Sequence, residues 1–153
     1  MNTLCPCQSA KPYAECCEPL HNGAAAETAE ALMRSRYSAY TLGLIDYIVA
    51  TTVPLQQPLL DTAAMREWSK QTEWDGLDVL HHWPDISKRH AQVEFKAYYR
   101  LDGARKAHHE LSGFVRIRER WYFIDPTVPL PPPQAACFCG SARKFKQCCG
   151  KVV

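Results

Sequence analysis

Eight cysteines fall in two blocks of identical spacing, one near each end of a 153-residue chain, and nothing else in the sequence restricts its folding so tightly. The first block is Cys5, Cys7, Cys16 and Cys17; the second is Cys137, Cys139, Cys148 and Cys149. Each reads Cys-x-Cys, eight residues, then Cys-Cys, and adding 132 to the first set gives the second. The match extends past sulfur: Ser9 pairs with Ser141, Ala10 with Ala142, Lys11 with Arg143, Tyr13 with Phe145 and Glu15 with Gln147. Four thiols gathered in so short a stretch are the ligand complement of a closed tetrahedral metal site.

Compartment decides between metal and disulfides. The start, MNTLCPCQSAKPY, lacks the basic and apolar regions of a secretory signal, and no apolar run is long enough to span a bilayer. A cytosolic, membrane-free protein is therefore expected, in which thiols stay reduced and bind metal. Adjacent cysteines such as Cys16 and Cys17 are also poorly placed to bridge one another. Zinc is the expected ion, two per chain, since an all-thiolate site with no open position is normally structural. Iron is the alternative, and a metal-storage cluster fits poorly because 119 residues separate Cys17 from Cys137. Fragments this small are held by metal binding, worth roughly 10–16 kcal/mol in zinc peptides, so stripping metal should unfold the ends and spare the middle.

Eight thiolates and two divalent ions bring the formal charge from +2 to about −2, so global charge gives no argument for nucleic acid. Locally, Arg143, Lys144, Lys146 and Lys151 sit in the second block with no acid. The basic residues Lys11, Arg143, Lys144 and Lys146 are expected to offset the charge of the sulfur sites, a reading that competes with nucleic-acid binding.

The middle holds about 110 residues, enough for one core. Between Thr28 and about Ala50, Met33, Tyr37, Tyr40, Leu44 and Tyr47 or Ile48 recur at helical spacing, with Arg34, Ser35 and Ser38 on the other side and Pro54 and Pro58 beyond. A second helix is expected from the N-cap Asp61, with Leu60 and Met65 at staple positions. After Gly76 the period falls to two: Leu77, Val79, His81 and Trp83, then Val93 to Leu101, an Asp102-Gly103 turn, and a strand alternating His109, Leu111, Val115 and Ile117. A turn at Arg118-Glu119-Arg120 leads to a fourth strand, Trp121 to Ile124. Two helices and an antiparallel meander make an α+β layered fold. Five prolines between Asp125 and Gln134 then form a stiff tether, preferred to a ligand for polyproline-reading domains. The expected domains are a knuckle at 1–20, a central unit at 21–134 and a second knuckle at 135–153.

The blocks CPCQSAKPYAECC and CFCGSARKFKQCC resemble the SEC-C motif, the zinc-binding element at the C-terminal end of the SecA translocation motor. With one copy at each end, and with LMRSRYSAYTLGLIDYIVATT, HELSGFVR and RWYFID between, the chain resembles the bacterial YchJ family throughout. That resemblance implies a cone-like nuclear transport factor two-like centre, an antiparallel sheet wrapped on N-terminal helices. It brings no established reaction; elements of this type in SecA contact partner proteins and the ribosome. Gln8 stands where the motif has glycine, and Ala10 and Ala142 where it has another. Gln8 should make the N-terminal site the looser.

Two functions follow as expectations. The first is a zinc-stabilised adaptor whose knuckles dock on another protein or the ribosome, with no catalytic residue. The second is a small-molecule or enzymatic pocket in the cone, for which His109, Glu110, Ser112 and Tyr99 are the polar groups. The alternation places His109 in the core and puts Glu110 and Ser112 on solvated strand surface with His108 and Arg116. Neither His81-His82 nor His108-His109 can chelate through both rings, since neighbours on a strand face opposite ways. The tryptophans and tyrosines, which could stack on bases, mostly fall on apolar faces and belong to the core.

Overall fold

A computed structural model describes residues 3–153. A short helix α1 (Cys17–His21) closes the first cysteine block and leads to α2 (Ala29–Leu42). Thr28 caps α2, its hydroxyl accepting from the Ala31 N–H at 3.0 Å. The single helix expected to about Ala50 is instead broken at Gly43, whose φ of 73° is the left-handed conformation that ends helices. Helix α3 (Ile45–Ala50) follows, and Pro54 opens a 3-10 segment (Pro54–Leu59) rather than ending the helix itself. Helix α4 (Thr62–Gln71) starts as expected at Asp61, whose carboxylate accepts from the Ala64 N–H at 3.0 Å.

Ser35 and Ser38, expected on the open side of α2, are fully buried. The reason is that α2 is covered twice: Leu32, Met33 and Tyr37 meet the sheet, while Ser35 and Ser38 meet His21 from the first block.

Strands β1 (Glu73–Ser87), β2 (His90–Leu101), β3 (Ala104–Ile117) and β4 (Arg120–Ile124) form one antiparallel sheet in sequence order. Asp102 and Gly103, at φ 51° and 79°, make the expected tight hairpin turn. Arg118 and Glu119 turn the next hairpin with φ 49° and 68°, without glycine.

On β2 and β3 the inward row pairs Ala91 with Phe114, Val93 with Ser112, Phe95 with Glu110 and Ala97 with His108. The expected facing of β3 is therefore reversed. His109 lies outside, bonded to Glu94 at 2.7 Å, and Leu111 is 52% exposed, whereas His108, Glu110 and Ser112 face the helices. The apolar alternation ending in Val115 and Ile117 is real, but those side chains meet the second cysteine block, not the helix layer. A bulge between Val79 and His81 likewise shifts β1, so His82, not His81, aligns with inward-facing Val93. His81 and Trp83 stack on one another with centroids 4.3 Å apart.

The sheet is thus buried on both faces around β3 and β4. One core joins Leu32, Met33 and Tyr37 of α2 to Val93 and Phe114. The other joins Val53, Val115 and Ile124 to Cys137, Cys139, Phe145 and Cys148.

Candidate metal centres and central cavity

Within each block a Cys-x-Cys turn presents two sulfurs, and a 3-10 turn, Tyr13–Glu15 or Phe145–Gln147, brings the Cys-Cys pair back to them. The Sγ atoms of Cys5, Cys7, Cys16 and Cys17 lie within 4.8 Å of one another, as do those of Cys137, Cys139, Cys148 and Cys149. All eight are free thiols, and all but Cys16 are buried. Cys7 to Cys16 and Cys139 to Cys148 both measure 3.5 Å, and Cys16 to Cys17 3.9 Å. A tetrahedral site with metal–sulfur bonds of about 2.3 Å has sulfur–sulfur edges of about 3.8 Å, so the eight residues fit two closed four-sulfur sites.

The two blocks repeat in three dimensions. Ser9 sits 3.2 Å from Cys16 Sγ, and Ser141 3.2 Å from Cys148 Sγ. The Cys5 N–H donates to the Lys11 carbonyl at 2.8 Å, and the Cys137 N–H to the Arg143 carbonyl at 2.8 Å. Gln8, Ala10 and Ala142 take φ of 67°, 68° and 67°, and Gly140 82°.

Without metal the thiols share protons. Donation from the Cys17 thiol, outweighing burial, draws Cys7 down to about 4, and Cys17, giving that bond and desolvated, is pushed up. Burial opposes ionisation of Cys139, but bonds from Ser141 and Cys148 bring it down to about 7. Burial pushes Cys149 up.

The cations expected to offset the sulfur charge make no bond to the sites: among the described residues, the Lys11, Arg143, Lys144 and Lys146 side chains make no hydrogen bond or ion pair, and all four are exposed. Arginines of the central unit reach in instead: Arg34 Nη1 donates to the Cys7 carbonyl at 2.8 Å, and Arg89 Nη2 to the Cys139 carbonyl at 3.4 Å. Cys7 and Cys139 are equivalent positions, so two unrelated arginines serve the same carbonyl.

Two histidines that sequence reasoning passed over complete the docking. His21 Nδ1 accepts from the Tyr13 hydroxyl at 2.7 Å and Nε2 donates to the Ser35 carbonyl at 2.8 Å. His90, 5% exposed, holds Ser87 Oγ at 2.6 Å and places Nε2 3.7 Å from Cys148 Sγ. Lone histidines carry no spacing signal, and only the fold brings these two to the blocks.

Between the helices and the sheet lies a cavity of about 270 Å³ walled by Tyr37, Tyr40, Trp68, Trp74, Phe95 and Phe114. Of the four anticipated polar residues, Glu110 and Ser112 line it; His109 and Tyr99 do not. His108 and Arg36 do, unanticipated. Glu110 Oε1 takes a hydrogen bond from His108 Nε2 at 3.1 Å, and Oε2 one from the Ser112 hydroxyl. Burial pushes the Glu110 carboxyl up, but those bonds and the charges of His108 and Arg36 outweigh it and leave it below the ordinary value. His108 is raised by the same bond to Glu110.

Comparison with known proteins agrees with both halves of this description. The family described as "YchJ, middle NTF2-like domain" matches residues 28–126, and the SEC-C motif matches 1–19 and 135–151. A UPF0225 protein of Actinobacillus succinogenes is 50% identical over 151 residues, 98% of each chain. One from Geobacter sulfurreducens is 44% identical over 160 aligned residues, covering 98% of this chain and 99% of that one. The crystal structure of a SEC-C motif containing protein from Psychrobacter arcticus superposes with a TM-score of 0.94 at 47% identity, over 99% of this chain and 97% of that one. A SEC-C motif containing protein from Rhodopseudomonas palustris, solved in solution, gives 0.73 at 41% identity, over 80% and 96%.

Proposed function

The chain belongs to the UPF0225 family, with a YchJ-type middle domain between two SEC-C motifs, and from that premise we propose that it is a cytosolic zinc protein that docks on an acidic macromolecular surface, a partner protein or the ribosome, through its C-terminal knuckle. Both four-sulfur sites are closed, so zinc there shapes the chain and offers no position to a substrate. No helix among the described residues is long and apolar enough to cross a membrane.

The observation that carries the docking reading is the state of Arg143, Lys144, Lys146 and Lys151. All four are exposed, and their side chains are unpaired among the described residues, on a knuckle whose backbone is already served by Arg89. None of the four is tied to the sulfur site by a hydrogen bond among the described residues. Exposed, unpaired cations close together in the chain attract an acidic partner and speed its encounter.

The test is co-sedimentation of zinc-loaded protein with ribosomes at low and moderate salt, beside crosslinking in lysate, for the unmodified chain and for Arg143→Glu/Lys144→Glu/Lys146→Glu. The reading expects salt-sensitive association that the charge reversal abolishes, with metal content and melting unchanged. Equal association of both forms, or none by either, removes the knuckle from the function.

A further inference from the structure

We propose that the central cavity binds a small ring-bearing molecule carrying an amine or hydroxyl donor for Glu110 and a carboxylate for the free edge of Arg36. The site does not depend on the docking reading, and either can fail alone.

Arg36, on α2, is 8% exposed and held through one nitrogen. Its Nη1 donates to the Ile48 carbonyl at 2.9 Å, to Thr51 Oγ1 at 2.7 Å and, more weakly, to Thr52 Oγ1 at 3.4 Å. The guanidinium lies 4.4 Å from the ring centre of Phe123, which fixes its plane. Nε and Nη2 have no protein partner among the described residues, and the residue borders the cavity. A buried cation with idle donors is costly, and a planar fork of N–H groups is the geometry that matches a carboxylate in two places.

Glu110 supplies the opposite pole. Each of its oxygens accepts one bond from the protein, and a carboxylate oxygen can accept a second, so both keep capacity toward the cavity. Held ionised by His108 and Ser112, it is a poor proton acceptor, and its part is to bind and orient a donor. A third group is idle: Trp74, also in the wall, has a buried indole N–H with no acceptor among the described residues. Buried polar groups without partners are rare in folded proteins, and here the unpartnered Trp74 N–H shares one space with the free donors of Arg36 and the spare acceptor capacity of Glu110, which points to a missing ligand.

Size and lining set the class. About 270 Å³ is ample for one substituted ring, given that about 150 Å³ holds benzene, and far too little for a dinucleotide. Aromatic walls suit a flat body. Entry is provided by an outer cleft of about 400 Å³ under α4, which shares Arg36, Tyr40, Trp68, Phe123, Asp125 and Thr127 with the inner cavity.

The probes are 4-aminobenzoate, which has both groups, benzoate, which lacks the donor, and aniline, which lacks the carboxylate. Each is titrated into zinc-loaded, nitrogen-15-labelled full chain while the Trp74 indole N–H resonance is followed. Saturable shifts by 4-aminobenzoate are expected, with benzoate about tenfold weaker, the loss of one charge-assisted hydrogen bond, and aniline about a hundredfold weaker, the loss of both bonds of the fork. Glu110→Gln should cut 4-aminobenzoate binding about tenfold and leave benzoate unchanged. Arg36→Lys, which keeps the charge and loses the fork, should weaken both acids and spare aniline. If the lysine variant does not fold, as melting reports, the Glu110→Gln comparison decides. No saturable binding by any probe, 4-aminobenzoate no tighter than benzoate, or binding indifferent to Glu110→Gln overturns the proposal.

Discussion

Gly113 lies directly beneath Val152: a Cβ on the glycine would stand 2.2 Å from the Val152 carbonyl oxygen and 3.0 Å from its Cγ2. Val152 is 1% exposed, and its carbonyl takes a bond from Gln92 Nε2 at 3.3 Å. The end of the second knuckle therefore rests on bare backbone in mid-sheet. Gly113→Ala should lift this segment off β3 and cost about 1–3 kcal/mol, as overpacking of a filled core does. Urea denaturation reports it, and a curve coincident with that of the unmodified chain would contradict the contact.

The two knuckles should not be equivalent in their effect on the centre. Cys137, Cys139 and Cys148 share a core with Val53, Val115 and Ile124, whereas among the described residues the apolar cluster of Cys5, Cys7 and Cys17 takes in only Tyr13 and Cys16, and this block meets α2 through polar contacts. Sparing of the middle on metal loss is thus predicted for the first site alone. Cys148→Ser should destabilise the sheet, as tryptophan fluorescence reads its unfolding, by about 3 kcal/mol, the worth of one or two uncovered aliphatic side chains. Cys16→Ser should leave that transition in place. Matching midpoints for the two variants would contradict the asymmetry.

Gln8 occupies the left-handed conformation that Gly140 holds at the equivalent position, with φ 67° against 82°. A residue with a Cβ gives up about 1–2 kcal/mol there. Ala10 and Ala142 carry the same strain and cancel. The lowered value of Cys7 favours neither site, because it comes from a Cys17 thiol proton that metal displaces. Competitive chelation should empty the N-terminal site first, and Gln8→Gly should narrow the gap. First release from the C-terminal site would refute this.

His108 and Glu110 stabilise the centre in a bounded pH window. His108 is raised, so its contribution is full below the ordinary 6.5 and fades as pH climbs past its folded value. Glu110 is lowered, so its contribution is full above the ordinary 4.5 and fades as pH falls through its folded value. Their shared contribution is complete between about 4.5 and 6.5. The stability difference between the unmodified chain and His108→Asn should be largest there and shrink on both sides; a difference flat from pH 4 to 9 would argue against the pair.

The blocks, the helix start at Asp61 and the Asp102-Gly103 turn were legible because each is local chemistry: ligand spacing, a capping carboxylate, a glycine at positive φ. The facing of β3 was not. Alternation reports that one side of a strand is covered, and Val115 and Ile117 are covered by a knuckle that lies far along the chain. The same cause hid Ser35 and Ser38, whose cover is His21. Arg36, a basic residue in an apolar helix face, gave no sequence sign that it turns inward; its anchors Ile48, Thr51 and Thr52 arrive only after the chain doubles back at Gly43.

The account rests on two filled sulfur sites, and elemental analysis of protein purified under reductant tests it most directly. Two zinc atoms per chain are predicted, and one in Cys148→Ser. Metal-free protein whose eight thiols all alkylate without denaturant would contradict it.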